Sequence, residues 1–454
     1  MSLLTTFITL LDLWRPEFCK KKLFERVRAL AIGFLSVVHR KTIANVSLFL
    51  GNIKKGYEAN CAVFSRRKWE AVKLFDHLIK PALPLSEGPY VCVAADDTHI
   101  KKSGKKIKGA GWKRDPLSPA FHLNFIWGLR FLQFSLLTNP SEFSRAIPID
   151  FIEAPSIKKP GKKASAWLFE RYQQAKKEFN LSSLFVQNIK KLRQRLDQVF
   201  ERRPLLMVVD ASFCNKICLR NQEDRIEILA RCRKNARLCF RYKGAGKRRK
   251  YAQDKFSPEK VRMDPCYEWK GISVFYGGKK RLLFYKEVKN VLWQGGAALR
   301  PLRLFVLAPT SYRKTKKGRL YYRQPAYLLC TDLSADASYL IQAYLNRWQI
   351  EVNHREEKSI LGVGQAQVWS SKSIDRQPSF HVAVYSSLLL AAALTYQDRP
   401  LYFDDDPKWR KPPKRLTFRA MLGIMRAEII SNPDVLHQIH IHPVEIACLL
   451  KQAA

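Results

Sequence analysis

Two short apolar runs that each end in aspartate, with helical and β-rich stretches set around them, predict an α/β fold: a mixed sheet flanked by helices. Tyr90-Val-Cys-Val-Ala-Ala-Asp96 and Pro204-Leu-Leu-Met-Val-Val-Asp210 have the length and composition of buried strands whose C-terminal tips present a carboxylate. Between them lies an aromatic stretch, 119–137, that suits two antiparallel strands joined near Gly128. A loop over 140–160 follows, then two helices from Ala164 to Glu201 that break near Asn180. Strand, hairpin, helix and strand in series build a mixed sheet with helices packed on it.

The flanks extend this plan. Residues 1–85 repeat apolar positions at helical spacing, through Leu23, Val27, Leu30, Ile32 and Leu35 and again through Val63, Trp69, Val72 and Phe75. Their basic residues, Lys20 to Lys22 and Arg66 to Lys68 among them, suit either a helical domain that grips an anionic partner (DNA ends, if the chain is a DNA enzyme) or a solvated cap. Pro81, Pro84 and Pro89 mark a linker into the core, whose first part spans 90–237. Beyond Asp210, Asn221 to Arg231 reads as helix. Residues 238–325 alternate β-formers with glycine and read as a β-rich insertion. Tyr327 to Asp332 is the last core strand, and an apolar helix near His381 to Tyr396 closes the second part of the core, 326–398. A charged, Pro-broken linker leads to a small helical region, 399–454, where the triplet Asp404 to Asp406 reads as solvated surface.

Charge narrows the partners. Lys and Arg number 81 against 39 Asp and Glu, a net +42 over 454 residues, and such a surplus calls for a polyanion. Hydrophobic residues make up 46%, enough to expect a folded core. No run reaches the roughly 18 consecutive apolar residues of a membrane span, so nucleic acid is favoured over a membrane and a cytoplasmic setting is expected. The 10 cysteines show no repeating spacing, and Cys214 and Cys218 have no second pair to complete a zinc site, so reduced thiols are expected. His437, His440 and His442 read as polar surface.

The stretch Tyr344 to Lys358 is more specific. Asp336 before it and Gly362 and Gly364 after it delimit a helix. At about 100° per residue, Arg347, Glu351 and Lys358 fall within roughly 60° of Tyr344. Ile341, Leu345, Trp348 and Val352 make an adjoining apolar stripe, which places the Glu351 carboxylate beside the buried face. Upstream, a strand tip at Asp96 or Asp97 fixes a hard oxygen ligand of the kind Mg²⁺ takes, and the basic run that follows (Lys101, Lys102, Lys105, Lys106) suits arriving phosphates.

The spacing Y-x2-R-x3-E-x6-K, with D-x-T after the first strand, resembles one branch of the DDE transposases of bacterial insertion sequences, a branch that carries a β-rich insertion in its core. The resemblance spans about 90–365. It implies an RNase H-like core in which Asp96 (Asp97 as the alternate), Asp210 and Glu351 hold two Mg²⁺ ions, with Mn²⁺ able to substitute. It also implies that Tyr344, Arg347 and Lys358 contact DNA, and that a tryptophan of the insertion stacks on a flipped base. Trp293 is a candidate for that role, with burial in the sheet as the competing reading. The implied partners are the element's terminal inverted repeats and target DNA, engaged by a homodimer in a synaptic complex at the bacterial nucleoid. A structure-specific nuclease that does not join strands, or a non-catalytic DNA-binding protein derived from a transposase, would share the charge and parts of the core.

The +42 surplus has a direct consequence. Duplex DNA binding should weaken with salt at a log–log slope of about −0.9 per neutralised phosphate. Titrations at several salt concentrations read that slope, and a nearly flat line would remove the polyanion reading.

Overall fold

The computed structural model describes residues 2–51, 56–115, 118–119, 121–138, 144–220, 223–244, 248–315, 318–396 and 415–432. Helices α1 (Leu3–Asp12), α2 (Lys21–Ser36), α3 (Ile43–Phe49), α4 (Tyr57–Ser65) and α5 (Ala71–Ala82) come first. Strands β1 (Val91–Lys101), β2 (Gly111–Arg114), β3 (Phe125–Leu137) and β4 (Ala146–Glu153) follow, then α6 (Ala166–Glu178), α7 (Leu181–Gln198), β5 (Leu205–Val209), α8 (Lys216–Arg220) and β6 (Ile226–Arg231). The β-rich stretch holds β7 (Leu238–Arg241), β8 (Tyr251–Phe256), α9 (Pro258–Met263), β9 (Lys270–Tyr276), β10 (Lys279–Leu292), β11 (Pro301–Leu307), β12 (Ser311–Arg313) and β13 (Leu320–Tyr322). The chain then runs through β14 (Ala326–Cys330), α10 (Ala337–Asn346), α11 (Trp348–Ser359), α12 (Ser371–Tyr396) and α13 (Phe418–Ser431).

Strand β1 is central. It pairs antiparallel with β3, which pairs antiparallel with β4, and on its other side parallel with β5, which pairs parallel with β6. The order β4-β3-β1-β5-β6, with those directions, is the mixed sheet of an RNase H-like core. All five residues of β5 are buried, as a strand covered on both faces requires. The sheet does not stop at β6. Strand β14 adds antiparallel to it, and β11, β10, β7 and β8 continue outward. Strands β7 to β11 of the β-rich stretch therefore extend the core sheet, while β12 and β13 pair with each other in a separate two-stranded ribbon.

Several local expectations change for physical reasons. Residues 125–137 form one strand, not two. Gly128 is no turn: it lies opposite both Lys101 and Gly111, and a Cβ there would come within 2.2 Å of the Ile100 carbonyl oxygen. The expected loop over 140–160 contains β4, six of whose eight residues are buried. Its Pro148 cannot donate to a ladder, but among the described strands β4 bonds only to β3, and the register slips between Phe134 and Ser135 beside it. The helix expected over 221–231 is strand β6, where Ile226, Ile228, Leu229 and Ala230 are buried. The expected linker begins later than its prolines suggest: Pro81 lies inside α5, and Ala82 and Leu83 are buried, while Pro84 and Pro89 are exposed.

The N-terminal helices share one core with α12. Phe380, fully buried, meets Trp14, Phe34, Phe64 and Trp69, with ring centroids 5.4 to 6.3 Å apart. The amides of Leu3 and Leu4 donate to Glu428 on α13. Residues 1–85 are thus packed into the same body as the carboxylate-bearing half. By length and composition α12 could cross a membrane, but 83% of its apolar window is buried inside this protein. Among the described cysteines none is paired. Asp404 to Asp406 and His437, His440 and His442 lie outside the described residues.

Replacing Phe380 with Ala should destabilise the protein by about 3–5 kcal/mol. In urea, tryptophan fluorescence and circular dichroism should still fall in one transition, because Trp14 and Trp69 unfold with α12. Two separated transitions would show that the N-terminal helices fold alone.

Candidate active site

Asp96 and Asp97 follow each other along β1, so their side chains leave opposite faces of the sheet. Asp97 is held by Arg130 of β3, whose Nε and Nη2 donate to its two carboxylate oxygens at 2.7 and 2.8 Å, with His99 Nε2 3.7 Å away. A bidentate clamp of this kind commits both oxygens. Asp96 accepts from the Asp97 amide at 2.8 Å and lies near Arg347. Burial pushes its carboxyl up to about 7, against the pull of Arg347, and the charges of Asp210 and Asp97 push the same way.

The parallel register sets Ala95 beside Val209, so Asp96 and Asp210 are the next residues on adjacent strands. Asp210 lies just past the end of β5, but Asp96 is not the strand tip that the sequence suggests: β1 runs on to Lys101 because β3 continues to pair with it. Asp210 Oδ1 accepts from the Ser212 amide at 2.9 Å and its hydroxyl at 2.6 Å, which fixes the turn after β5.

The third carboxylate arrives on α11. Asp336 caps α10, its carboxylate accepting from the Tyr339 amide at 2.9 Å, and Gly362 and Gly364, at φ +71° and +94°, end the helical run. Arg347 joins α10 to α11 with helical dihedrals, although the Ile350 amide reaches back only to Arg347. That tighter turn shifts the apolar stripe. Trp348 is 58% exposed and Leu345 and Val352 are half-buried, while Leu340, Ile341, Ala343 and Ile350 make the buried face. Arg347 places Nη2 2.9 Å from Glu351 Oε1 and Nη1 3.4 Å from Asp96 Oδ2. Tyr344 is half-buried beside the charges of Arg231, Arg347, Asp210 and Glu351, and its hydroxyl titrates above its ordinary range, chiefly through burial.

Tyr344, Arg347, Glu351, Asp96 and Asp210 therefore share one neighbourhood. Among the described residues, however, no three His, Cys, Asp or Glu side chains close on a common point as metal ligands. The Arg347 guanidinium stands between Asp96 and Glu351 instead. The donor chemistry still fits a hard divalent cation: the side chains offer only oxygen, and Asp96 is crowded by like charge that such a cation relieves.

Residues 16–116 match a family model described as DDE superfamily endonuclease. That match runs from the N-terminal helices through β1 and β2, so it includes Asp96 and ends before Asp210 and Glu351. It supports a DDE transposase-like assignment with nuclease- or transposase-type activity, for which DNA is the substrate and divalent metal the usual requirement. No curated protein matches the chain.

The remaining candidates of the DDE-like site divide. Lys358 is exposed at the far end of α11 and feels the charges of Glu357, Asp97, Asp115 and Asp96. Lys101, Lys105 and Lys106 are exposed, with Lys101 3.9 Å from Asp115. Lys102, expected to meet phosphate, is turned inward. It is buried, its Nζ donates to the carbonyls of Ala366 and Gly364 at 3.0 and 3.5 Å, and burial lowers its pKa to about 8. Trp293 is half-buried against the core, yet it also walls a cleft of about 760 Å³ with Ala211, Ser212, Lys216, Arg233 and Lys255. Two residues escape a sequence reading: Arg130, which clamps Asp97 from another strand, and Gln133, buried opposite Asp96. The only signal for either is its polarity within an otherwise apolar strand.

Glu357 is 1% exposed on α11, against Gln133, and burial raises its carboxyl to about 8. The folded protein therefore keeps a proton that the unfolded chain loses from about pH 4.5 upward. Stability from this group must fall as pH rises from about 4.5 to 8 and stay low above that. Urea unfolding between pH 5 and pH 9 should show this decline reduced in Glu357→Gln, with the variant the more stable protein at the alkaline end.

Proposed function

We propose that this chain is a DNA transposase that binds element ends, cleaves phosphodiester bonds and joins the resulting 3′-hydroxyl to target DNA. One observation carries the reading most strongly. Asp96, midway along β1, and Asp210, just past the C-terminal end of the adjacent parallel strand β5, lie beside the Tyr344–Arg347–Glu351 group in an RNase H-like sheet, although 114 and 141 positions separate the three carboxylates in sequence. The chain's large positive charge and the family match point the same way.

Asp96, Asp210 and Glu351 would hold the metal. Two Mg²⁺ ions bound there supply activation of water or of a DNA 3′-hydroxyl and stabilisation of the leaving oxygen. Arg347 has a second task. While no DNA is bound its guanidinium neutralises Asp96 and Glu351, and a scissile phosphate offers it a planar, bidentate partner in exchange. Lys358, a point charge on a flexible stem, holds phosphate further along the strand, and the Tyr344 hydroxyl donates to it. Asp97, committed to Arg130, positions the strand and is not a ligand. Trp293 faces a basic cleft beside Asp210, which favours the base-stacking role over simple burial. Exposed Lys20 to Lys22 and Arg66 to Lys68 would grip element ends, in a homodimeric synaptic complex at the cytoplasmic nucleoid.

Strand transfer with candidate element ends separates joining from hydrolysis. Asp96→Asn, Asp210→Asn and Glu351→Gln should each lower cleavage and joining on the order of 10³-fold or more, and pairs should cost little beyond singles, because groups acting as a unit are not additive. Asp97→Asn should retain activity. Arg347→Ala and Lys358→Ala should reduce joining while the circular-dichroism spectrum stays that of the wild-type fold. Cleaved but unjoined ends would leave a nuclease, and normal joining by Glu351→Gln would end the transposase reading.

A further inference from the structure

Helix α6 presents a problem of packing. None of its 13 residues is buried, and Trp167 is 58% exposed. A helix that length gains little from propensity alone and normally lays an apolar face on a core. Here the aromatic rings carry cations instead: Arg171 lies 4.7 Å over Trp167 and Lys176 5.9 Å over Tyr172. The stretch from Lys158 to Lys177 holds seven basic residues (Lys158, Lys159, Lys162, Lys163, Arg171, Lys176, Lys177) and one acidic one, Glu170.

Across from α6, the short edge ribbon of β2 and β3 presents Trp112, 66% exposed, with its ring 5.6 Å from Trp127 in an edge-to-face pair. The two elements enclose an open pocket of about 510 Å³, whose walls include Trp112, Lys113, Arg130, Lys158, Tyr172 and Lys176. Trp127 is fixed by its own hydrogen bond to the Gly104 carbonyl at 3.0 Å, which gives Trp112 a rigid backing.

We propose that this pocket binds an unpaired stretch of DNA, apart from the carboxylate site, with bases stacked on Trp112 and phosphates tracked by Lys158 and Lys176. Only unpaired DNA fits both halves of the surface. A duplex offers phosphates to the lysines but keeps its base faces within its own stack, whereas a single strand offers both. An acidic protein segment would satisfy the charge and leave the aromatic faces without planar partners. The inference rests on the DNA reading but not on catalysis.

The test uses the full chain in chelator, with fluorescence anisotropy of a labelled oligothymidylate and of a blunt duplex of equal length. Trp112→Ala should weaken oligothymidylate binding about tenfold or more and leave duplex affinity unchanged. The Lys158→Ala/Lys176→Ala pair, both exposed, should shrink the single-strand salt slope by about 0.7 for each phosphate no longer neutralised. Trp112→Phe should restore most of the binding. Unchanged oligothymidylate affinity in Trp112→Ala, or an equal loss on duplex, overturns the proposal. If Trp112→Ala melts early, the lysine pair decides alone: an unaltered single-strand slope overturns it. Because no metal is present, these outcomes are independent of whether the chain joins strands.

Discussion

The parallel pairing of β1 with β5 is the constraint on which the rest of the site depends. Five residue pairs, Val91 with Leu205 through Ala95 with Val209, fix the register. A slip of one residue would turn every side chain of one strand to the other face and part Asp96 from Asp210. Both strands are buried along this ladder, Val91 to Ala95 and Leu205 to Val209 alike, so the apolar pattern that drives folding also enforces the register. Two carboxylates that repel one another are brought together by the burial of residues that carry no charge. The cost appears on Asp96, where burial first, and the charge of Asp210 in addition, hold the proton up to about 7.

Arg347 answers that cost locally. Its guanidinium lies 3.4 Å from Asp96 and 2.9 Å from Glu351, and so ties α11 to the middle of β1 through side chains. The opposite face of β1 is balanced separately by Arg130 on Asp97. Adjacent aspartates thus have different partners because strand pleating sends them apart. Their near-identity in sequence conceals a complete difference in surroundings.

How much of this could be read from the sequence depended on how far each signal reached along the chain. The strand that ends before Asp210, the break between α6 and α7, and the glycines that follow α11 are written in neighbouring residues, and each is found where local pattern places it. The strand through Asp96 is also where the pattern places it, but it runs on to Lys101 because β3 pairs with it there, which the residues after Asp96 do not announce. Gly128 misleads because its reason is the Ile100 carbonyl on another strand, which leaves no room for a Cβ. Pro148 misleads because a proline argues against a strand unless that strand is an edge, and edges are a property of the sheet. The buried Lys102 and Glu357 reverse their usual preferences for partners far away in sequence, and Trp348 is exposed because the turn at Arg347 rotates the helix. Sequence pattern singles out Asp96, Asp210 and Glu351 as candidates, but only the fold shows Arg347 between two of them.

The continuity of the sheet from β6 through β14 and β11 to β10 has a mechanical meaning. Trp293, directly after β10, and Asp210, directly after β5, are joined through an unbroken series of backbone ladders. Gly296 lets the indole lie flat against the turn, since a Cβ there would come within 2.0 Å of the ring. The span between the carboxylate and the indole is therefore that of a fixed gauge. The strand ends that carry the two turns keep their spacing, so adjustment in the cleft is left to the turns and side chains themselves.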